Sequence, residues 1–277
     1  MSAFLLKLIA LLTMMIDHIG VVYQPLFDVS LYRYIGRIAF PIFVFFVAEG
    51  CRRTSNIEKY VLRLGAFALI SELPFTLALA PLVRRPNGLF DLGAYNLFSN
   101  QNVFFTFFLG TVCVYLYQKF RDGLTQLIYI ILIPFTVYLG NRLNTDFGST
   151  GVLFVFILYV VPYSDHSDQE EGKPIQLSAV GKTLRIAALF CMLFFLYIID
   201  RGNLNPMREI IQVYGVFSLV ERLPDIQFML YSCIALVMLA FYNNKRGRPQ
   251  RWLFYAFYPF HLIVLGLIRY FYVIPRM

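Results

Sequence analysis

Long apolar runs follow one another along almost the entire chain, and most are close to the length of α-helix that crosses a lipid bilayer. Hydrophobic residues make up 59% of the 277 positions, whereas charged residues make up only 14%. A soluble domain usually contains about a quarter charged residues. The sequence therefore predicts an all-α, polytopic integral membrane protein, a helical bundle that forms a single domain over residues 1–277.

The boundaries of the apolar runs predict the number of membrane helices. One run, 209–223, is short and carries Glu221 and Arg222, so it either spans the membrane or forms a re-entrant segment. We expect about ten membrane helices if this run spans, which we prefer, and nine if it does not. The other predicted helices cover residues 4–24, 37–51, 60–80, 102–118, 124–140, 150–163, 184–200, 226–242 and 252–273.

Basic residues in the short loops predict the orientation of the chain. Arg52, Arg53 and Lys59 follow the second helix, so the positive-inside rule places them in the cytoplasm together with the N-terminus. The basic run 245–251 obeys this rule only with nine helices, because ten would place it on the outer side. The basic residues are scattered over short loops, so they do not predict a nucleic-acid partner. The cysteines do not have the spacing that a metal site requires.

The first apolar run carries three ionisable residues, Lys7, Asp17 and His18. Ionisable groups inside a membrane helix are costly, so they are candidates for function. The spacing between Lys7 and His18 returns both to nearly the same face of a helix, separated by about 16 Å along its axis. This helix therefore combines a cation near one membrane surface with a titratable imidazole deeper inside.

Other polar residues at membrane depth fall into two layers. The inner layer forms a basic mouth that suits an anionic cytosolic ligand, and the outer layer combines groups that suit proton transfer. Structural roles stay open: Lys7 can snorkel to the interface, Glu49 can pair with Arg52 or Arg53, and Asn102 can cap a helix. The inner layer contains Lys7, Glu49, Arg52, Arg53, Lys59 and Arg63, and the outer layer contains Asp17, His18, Arg37, Glu72, Asn102 and Asp146, with His261 at mid-depth.

Six blocks of the sequence resemble TraX-type membrane proteins, and they occur in the same order along nearly the whole chain. The blocks are LKLIALLTMMIDHIG, YRYIGRIAFPIFVFFVAEG, KYVLRLGAFALISELPF, NVFFTFFLG, TDFGSTGVL and FYAFYPFHL. The TraX family includes the inner-membrane enzyme that N-acetylates the amino terminus of conjugative F pilin. The resemblance therefore implies a bacterial inner-membrane acetyltransferase with acetyl-CoA as its donor co-substrate.

The TraX group is also similar to a broader set of transmembrane acyl-transfer proteins. In part of that set, the first helix carries a basic residue, ten further residues and a histidine. Lys7 and His18 match this pattern, which implies that His18 is the catalytic base, or a covalent or proton-relay centre, and that Lys7 faces coenzyme A. Arg37, Arg52 and Arg53 are the nearest candidates for arginines that the same set carries near its second and third helices.

Together these inferences give a hypothesis for catalysis. Lys7, Arg52 and Arg53 would bind the phosphates of acetyl-CoA, and His18 would deprotonate an amine or hydroxyl acceptor. Asp17 or Glu72 would orient the imidazole of His18. Arg37 or Asn102 would stabilise the oxyanion that forms from the thioester. The acetyl-CoA site would also contain Glu49, Asn102 and His261.

The acceptor is not fixed by the sequence. A peptide or pilin N-terminus, a glycan, a lipid head group and a small amine are all compatible with entry from the outer side or laterally from the surrounding lipids. Two other functions stay open. A secondary transporter or channel for a small anionic solute would also carry buried charges and proline-broken helices, and a non-catalytic membrane assembly factor would bind no acetyl-CoA.

Overall fold

The protein is a helical bundle in the computed structural model, which describes residues 1–24, 26–79, 83–84, 90–91, 100–120, 126–161, 179–200, 223–248 and 251–276. The helices are α1 (Ala3–Tyr23), α2 (Ser30–Gly36), α3 (Ala39–Arg53), α4 (Ile57–Leu79), α5 (Val103–Lys119), α6 (Gln126–Arg142), α7 (Gly148–Val160), α8 (Ala179–Phe194), α9 (Leu223–Ala240) and α10 (Arg251–Ile268). Helix α8 continues as a π-helix over Phe195–Asp200, and α10 continues as a π-helix over Arg269–Val273 and a 3-10 turn over Ile274–Arg276. Two short antiparallel strands, β1 (Val83–Arg84) and β2 (Phe90–Asp91), form a hairpin.

The described helices include five that are long and apolar enough to cross a membrane: Ala3–Tyr23, Ser30–Arg53, Ile57–Leu79, Ala179–Tyr197 and Trp252–Arg276. Four shorter apolar helices accompany them: Val103–Lys119, Ile128–Arg142, Gly148–Val160 and Ile226–Ala240. Large apolar side chains cover the outer surface of the bundle, where lipid replaces water as the solvent; Leu62 and Phe271, for example, are each 70% exposed. These features agree with a helical membrane protein.

The second predicted helix begins earlier than expected. Residues 30–36, predicted as a loop, form the short helix α2, and a break at Arg37 and Ile38 separates it from α3. Pro41 lies in the first turn of α3, where its missing N–H has no partner within the helix in any case. Pro74 also lies inside a helix, and α4 continues past it to Leu79.

Helix α3 is the centre of the bundle, and eleven of its 15 residues are buried. It packs against α1, α5, α7 and α9. Helices α5 and α7 approach closely beside it because two glycines lie at their contact. A Cβ at Gly110 would lie 2.6 Å from Cβ of Val155, and one at Gly151 would lie 2.6 Å from Cγ2 of Thr106. Any larger residue at either position would separate these two helices.

Hydrogen bonds join the segment before α10 to the start of α1. The amide of Ala3 donates to the carbonyl of Lys245 at 2.9 Å, and the amide of Phe4 donates to that of Arg246 at 3.2 Å. The segment 245–248 therefore lies at the same end of the bundle as the start of α1. We call this end the basic end; it contains Lys7, Arg53, Lys182, Lys245, Arg246 and Arg248.

Helices α8 and α9 run antiparallel. Near the basic end, Nζ of Lys182 donates to the carbonyl of Ala240 at 2.8 Å, and near the other end the hydroxyls of Ser232 and Tyr197 are 3.3 Å apart. The C-terminal end of α8 and the N-terminal end of α9, which flank residues 201–222, therefore lie at the same end of the bundle. The nine-helix alternative requires this arrangement. The preferred count of ten is not confirmed, and most of the uncertain run 209–223 lies outside the described residues.

Candidate functional site

Two buried histidines meet between the first and the last of the described helices. Nδ1 of His18 on α1 lies 2.8 Å from Nε2 of His261 on α10. The two rings are nearly parallel, with centroids 5.1 Å apart, and both residues are buried. The sequence predicted both residues as part of a site, but it assigned His261 to acetyl-CoA rather than to His18.

The hydrogen-bond partners assign the protons of this pair. Nδ1 of His261 lies 2.9 Å from the carbonyl oxygen of Phe257, which can only accept, so that nitrogen carries hydrogen. In a neutral ring, Nε2 of His261 is then an acceptor, and His18 donates to it from Nδ1. Nε2 of His18 consequently keeps its lone pair, and the described hydrogen bond of this ring is made by Nδ1. The contact with His261 therefore fixes the orientation of a possible proton acceptor.

Aromatic rings enclose the histidine pair. Tyr258 presents an edge to both rings, with centroids 6.1 Å from His18 and 5.5 Å from His261. Phe257 stacks on His261 at 5.0 Å. The apolar surroundings shield the pair from water, which strengthens hydrogen bonds and charge interactions within it.

The Asp17 carboxylate binds two arginines. Its oxygens accept from Nη1 of Arg33 at 2.8 Å and from Nη2 of Arg37 at 3.2 Å, and its role in orienting His18 stays a prediction. Gly36 allows this approach, because a Cβ there would lie 2.3 Å from Cβ of Asp17. Arg37 also donates from Nε to the carbonyl of Arg33 at 3.1 Å, so its guanidinium is held in place by protein groups.

The described contacts of the Glu72 carboxylate are with Asn102 and not with His18. Oε2 of Glu72 accepts from Nδ2 of Asn102 at 2.7 Å and from the amide of Asn102 at 3.3 Å. Asn102 in turn caps α5, because its Oδ1 accepts from the amide of Phe104 at 3.0 Å. The helix-cap role considered for Asn102 is therefore confirmed.

A polar cleft of about 540 Å³ opens at the end of the bundle opposite the basic end. Gln101 lines the cleft one residue before Asn102, and Phe75 lines it one helical turn after Glu72. Two lining residues of the cleft are therefore close neighbours, along the chain, of the Glu72–Asn102 pair. The full lining consists of Phe75, Asn100, Gln101, Asn141, Asn144, Thr145, Asp146 and Gly148. We call this end the cleft end.

Lys7 lies at the basic end on the inward side of α1, the helix that also carries His18. Its Nζ is 5.0 Å from the ring centre of Phe46 and 5.6 Å from that of Phe254, a cation–π arrangement. Because both residues belong to one unbroken helix, Lys7 and His18 are about 16 Å apart along its axis. Arg53 and Arg246 are close enough to interact electrostatically with Lys7.

The two arginines that end α3 point in different directions. Nη2 of Arg52 donates to the carbonyls of Tyr159 and Val161, so Arg52 caps the end of α7 rather than lining a mouth with Lys7. Its place in a phosphate site stays a prediction. Arg53 donates from Nε to Glu49 at 3.0 Å and leaves its side chain 43% exposed, so Arg53 is accessible at the basic end.

Comparison with known proteins places this architecture in a family. The family model described as "TraX protein" matches residues 2–269. The chain belongs to the TraX family. No solved structure matches the chain.

A curated relative of this TraX-family chain comes from Dichelobacter nodosus and is described as "Probable fimbrial assembly protein FimC, serogroup H1". The two proteins are 26% identical over 269 residues, which cover 95% of this chain and 94% of the relative. The similarity therefore extends through every helix that contributes to the histidine pair, the cleft and the basic end.

Sequence reasoning missed one residue at the centre of the TraX-family chain's basic end. Arg185 on α8 is completely buried, forms an ion pair with Glu49, and lies over the ring of Phe45 at 4.9 Å. An arginine near the start of a predicted helix is usually interpreted as an interfacial anchor. For that reason the sequence did not predict Arg185 as the buried ion-pair partner of Glu49. Its position inside the apolar helix 179–194 was the one available signal. Glu49 is thus the partner of two arginines, Arg53 and Arg185, and not a direct ligand of an anion.

Proposed function

We propose that this TraX-family protein is a membrane-bound acetyltransferase that moves an acetyl group from cytosolic acetyl-CoA to an amine or hydroxyl acceptor. The observation that carries the proposal is the buried His18–His261 pair, which leaves Nε2 of His18 free to take a proton. Such a base is the group that deprotonation of an amine or hydroxyl acceptor requires.

His18 acts as the general base, and His261 positions it. Nε2 of His18 takes the proton of the acceptor as the acceptor attacks the thioester, and then returns that proton to the thiolate that leaves. The hydrogen bond from Nδ1 of His18 to His261 becomes charge-assisted while His18 is protonated, which stabilises the imidazolium. The carbonyl of Phe257 holds His261 in the tautomer that this step needs.

The donor side lies at the basic end. Lys7 and Arg53, together with the exposed residues Arg246 and Arg248, form a cationic opening that suits the phosphates of coenzyme A. The pantetheine arm has to cover the distance from Lys7 to His18 along α1. The acetyl group would then reach Nε2 of His18 from the basic end.

We place the basic end in the cytoplasm and the cleft end on the outer side of a bacterial inner membrane, by the positive-inside rule. The N-terminus is then cytoplasmic, and nine crossings bring the segment 245–248 to the same side. Acceptors enter from the cleft end. Because the D. nodosus relative is described as a probable fimbrial assembly protein, a fimbrial or pilin-like subunit is one acceptor to test.

The experiment is a pair of measurements on the protein purified in detergent. Thermal stability is measured with and without acetyl-CoA, and release of coenzyme A is followed with hydroxylamine as a small acceptor. A ligand present at 100 times its dissociation constant stabilises a protein by about 2.7 kcal/mol.

Wild type and His18→Ala should both be stabilised by acetyl-CoA, whereas Lys7→Ala should be stabilised less, and only His18→Ala should lose transfer. Lys182→Ala is the matched control, because Lys182 is also a lysine of the basic end but donates to the carbonyls of Ala240 and Tyr242. A wild-type protein that acetyl-CoA does not stabilise, or a fully active His18→Ala variant, would refute the proposal and favour transport of an anionic solute.

A further inference from the structure

Arg63 on α4 is a cation that the proposed acetyl-transfer centre does not use. Its guanidinium lies between two tyrosine rings, with Cζ 5.2 Å from the ring centre of Tyr60 and 5.2 Å from that of Tyr255. Nε of Arg63 also donates to the hydroxyl of Tyr255 at 3.1 Å, and that hydroxyl interacts with the hydroxyl of Tyr60. Two cation–π contacts and a hydrogen bond therefore hold the guanidinium in one orientation.

The Arg63 side chain lies beside the opening that contains Lys7. Helix α4 begins shortly after α3 ends at Arg53, so Arg63, in the second turn of α4, is close to the basic end. On α10, Phe254 lies against Lys7, and the next residue, Tyr255, lies against Arg63. The two cations thus flank the start of the same helix.

A second cation lies on the same face of α4. Lys59 precedes Arg63 by one helical turn and is exposed. Like charges at this spacing repel each other. The neighbouring carboxylate of Glu58 accepts from the hydroxyl of Tyr115 at 3.1 Å, and within the described residues no carboxylate forms an ion pair with Lys59 or Arg63. An anion bound between the two cations would offset their repulsion.

The depth of the pair is indicated by Trp252. This residue lies one turn before Tyr255 on α10, with the ring centroids 6.4 Å apart, and it is 58% exposed. Tryptophan side chains are enriched at the interface between membrane and water. The guanidinium of Arg63 is half-buried at this level, so an anion can reach it without entering the apolar interior of the bilayer.

We propose that Arg63 and Lys59 bind a phosphate ester, as a second phosphate site of the basic end. The guanidinium fork matches two phosphate oxygens, and the ammonium group of Lys59 adds a point charge. Because the rings of Tyr60 and Tyr255 already orient the fork, binding orders little that is mobile. Two sources supply a phosphate ester at this level: the 3′-phosphate of coenzyme A and the phosphodiester of a phospholipid head group. The first source rests on the proposed function, and the second does not.

The coenzyme A source is tested with acetyl-CoA and acetyl-dephospho-CoA, which lacks only the 3′-phosphate. The affinity of each compound is obtained from the concentration dependence of the melting temperature in a non-ionic detergent. Wild type should bind acetyl-CoA about 10-fold more tightly, the order of one hydrogen bond to a charged group, and Arg63→Gln should bind the two compounds equally. Arg276→Gln is the matched control, because Arg276 also lies over a tyrosine ring, that of Tyr272 at 3.6 Å, but at the cleft end.

The lipid source is tested with dioleoylphosphatidylglycerol and dioleoylglycerol, which have the same acyl chains and differ by the phosphoglycerol group. The phospholipid should raise the melting temperature of wild type and of Arg276→Gln more than dioleoylglycerol does. This excess should be lost in Arg63→Gln and reduced in Lys59→Gln.

An effect of Arg63→Gln in either experiment, absent from Arg276→Gln, supports the phosphate site and identifies its source. If acetyl-CoA does not bind but the phospholipid effect depends on Arg63, the proposed function fails while the phosphate site stands. If acetyl-CoA binds without any preference for the 3′-phosphate, and the two lipids act alike, the inference is overturned while the proposed function stands.

Discussion

Nδ1 of His18 lies 2.8 Å from Nε2 of His261, although 243 positions separate the two residues in the chain. Because Nδ1 of His261 is bound to the Phe257 carbonyl, the contact has a direction: His18 donates and His261 accepts. The second histidine therefore has a role that a phenyl ring of similar shape cannot perform.

His261→Phe should lower kcat for acetyl transfer by about 10- to 100-fold and leave KM for acetyl-CoA nearly unchanged, because only the orientation of the base is lost. His261→Gln should retain more activity, since its carbonyl oxygen can accept from Nδ1 of His18. Steady-state kinetics on both variants, with Tyr258→Phe to control for packing, would measure this. Equal activity of the Phe and Gln variants would show that the hydrogen bond has no part in catalysis.

The buried pair of Glu49 and Arg185 should dominate the stability of the basic end. Removing one member of a buried ion pair typically costs about 3–5 kcal/mol, because the other charge is left in an apolar environment. Arg185→Met should therefore unfold at a clearly lower temperature than wild type. The double variant Glu49→Gln/Arg185→Met should recover much of the loss, as a double-mutant cycle of melting curves would reveal. A purely additive cycle would contradict the pairing.

Glu72→Gln should be at least as stable as wild type in the absence of ligand. The substitution replaces a buried charge that has an unpartnered oxygen with a neutral group that can still accept from Asn102. Thermal melting in detergent would test this against Asn102→Ala, which should be destabilised by about 1–2 kcal/mol through loss of the α5 cap. A large destabilisation by Glu72→Gln would instead assign the carboxylate a structural role.

The direction of the helices predicts the location of a C-terminal fusion. With nine crossings, α10 begins at the basic end and runs to the cleft end, so residue 276 and the segment 245–248 lie on opposite sides of the membrane. Alkaline phosphatase fused after Met277 should be active, and green fluorescent protein fused there should be dark. The reverse pattern would require ten crossings or an inverted chain.

Some features of the site were predictable because they depend on one helix alone. The shared face of Lys7 and His18 follows from helical periodicity, and the cap at Asn102 follows from its place before an apolar run. The pairing of Glu49 with Arg53 was predicted correctly, because both lie on one helix four residues apart. The partners of Asp17 and His18, and Arg185 as the second partner of Glu49, were not predictable, because they come from other helices and depend on how the bundle packs. The short helix α2 was missed since its seven residues, with Arg33 among them, do not form an apolar run.

The histidine pair also sets the order of events in biogenesis. His18 enters the membrane with α1, the first of the described helices to be synthesised, whereas its partner arrives with α10 after all the other described helices. The proposed centre is therefore incomplete until α10 has been made, and a chain arrested anywhere before residue 261 holds the base without its acceptor. Acetyl transfer would thus report that both α1 and α10 have been inserted, and coexpressed fragments divided within the segment 245–248 could regain it only by joining α1 to α10 within the bilayer.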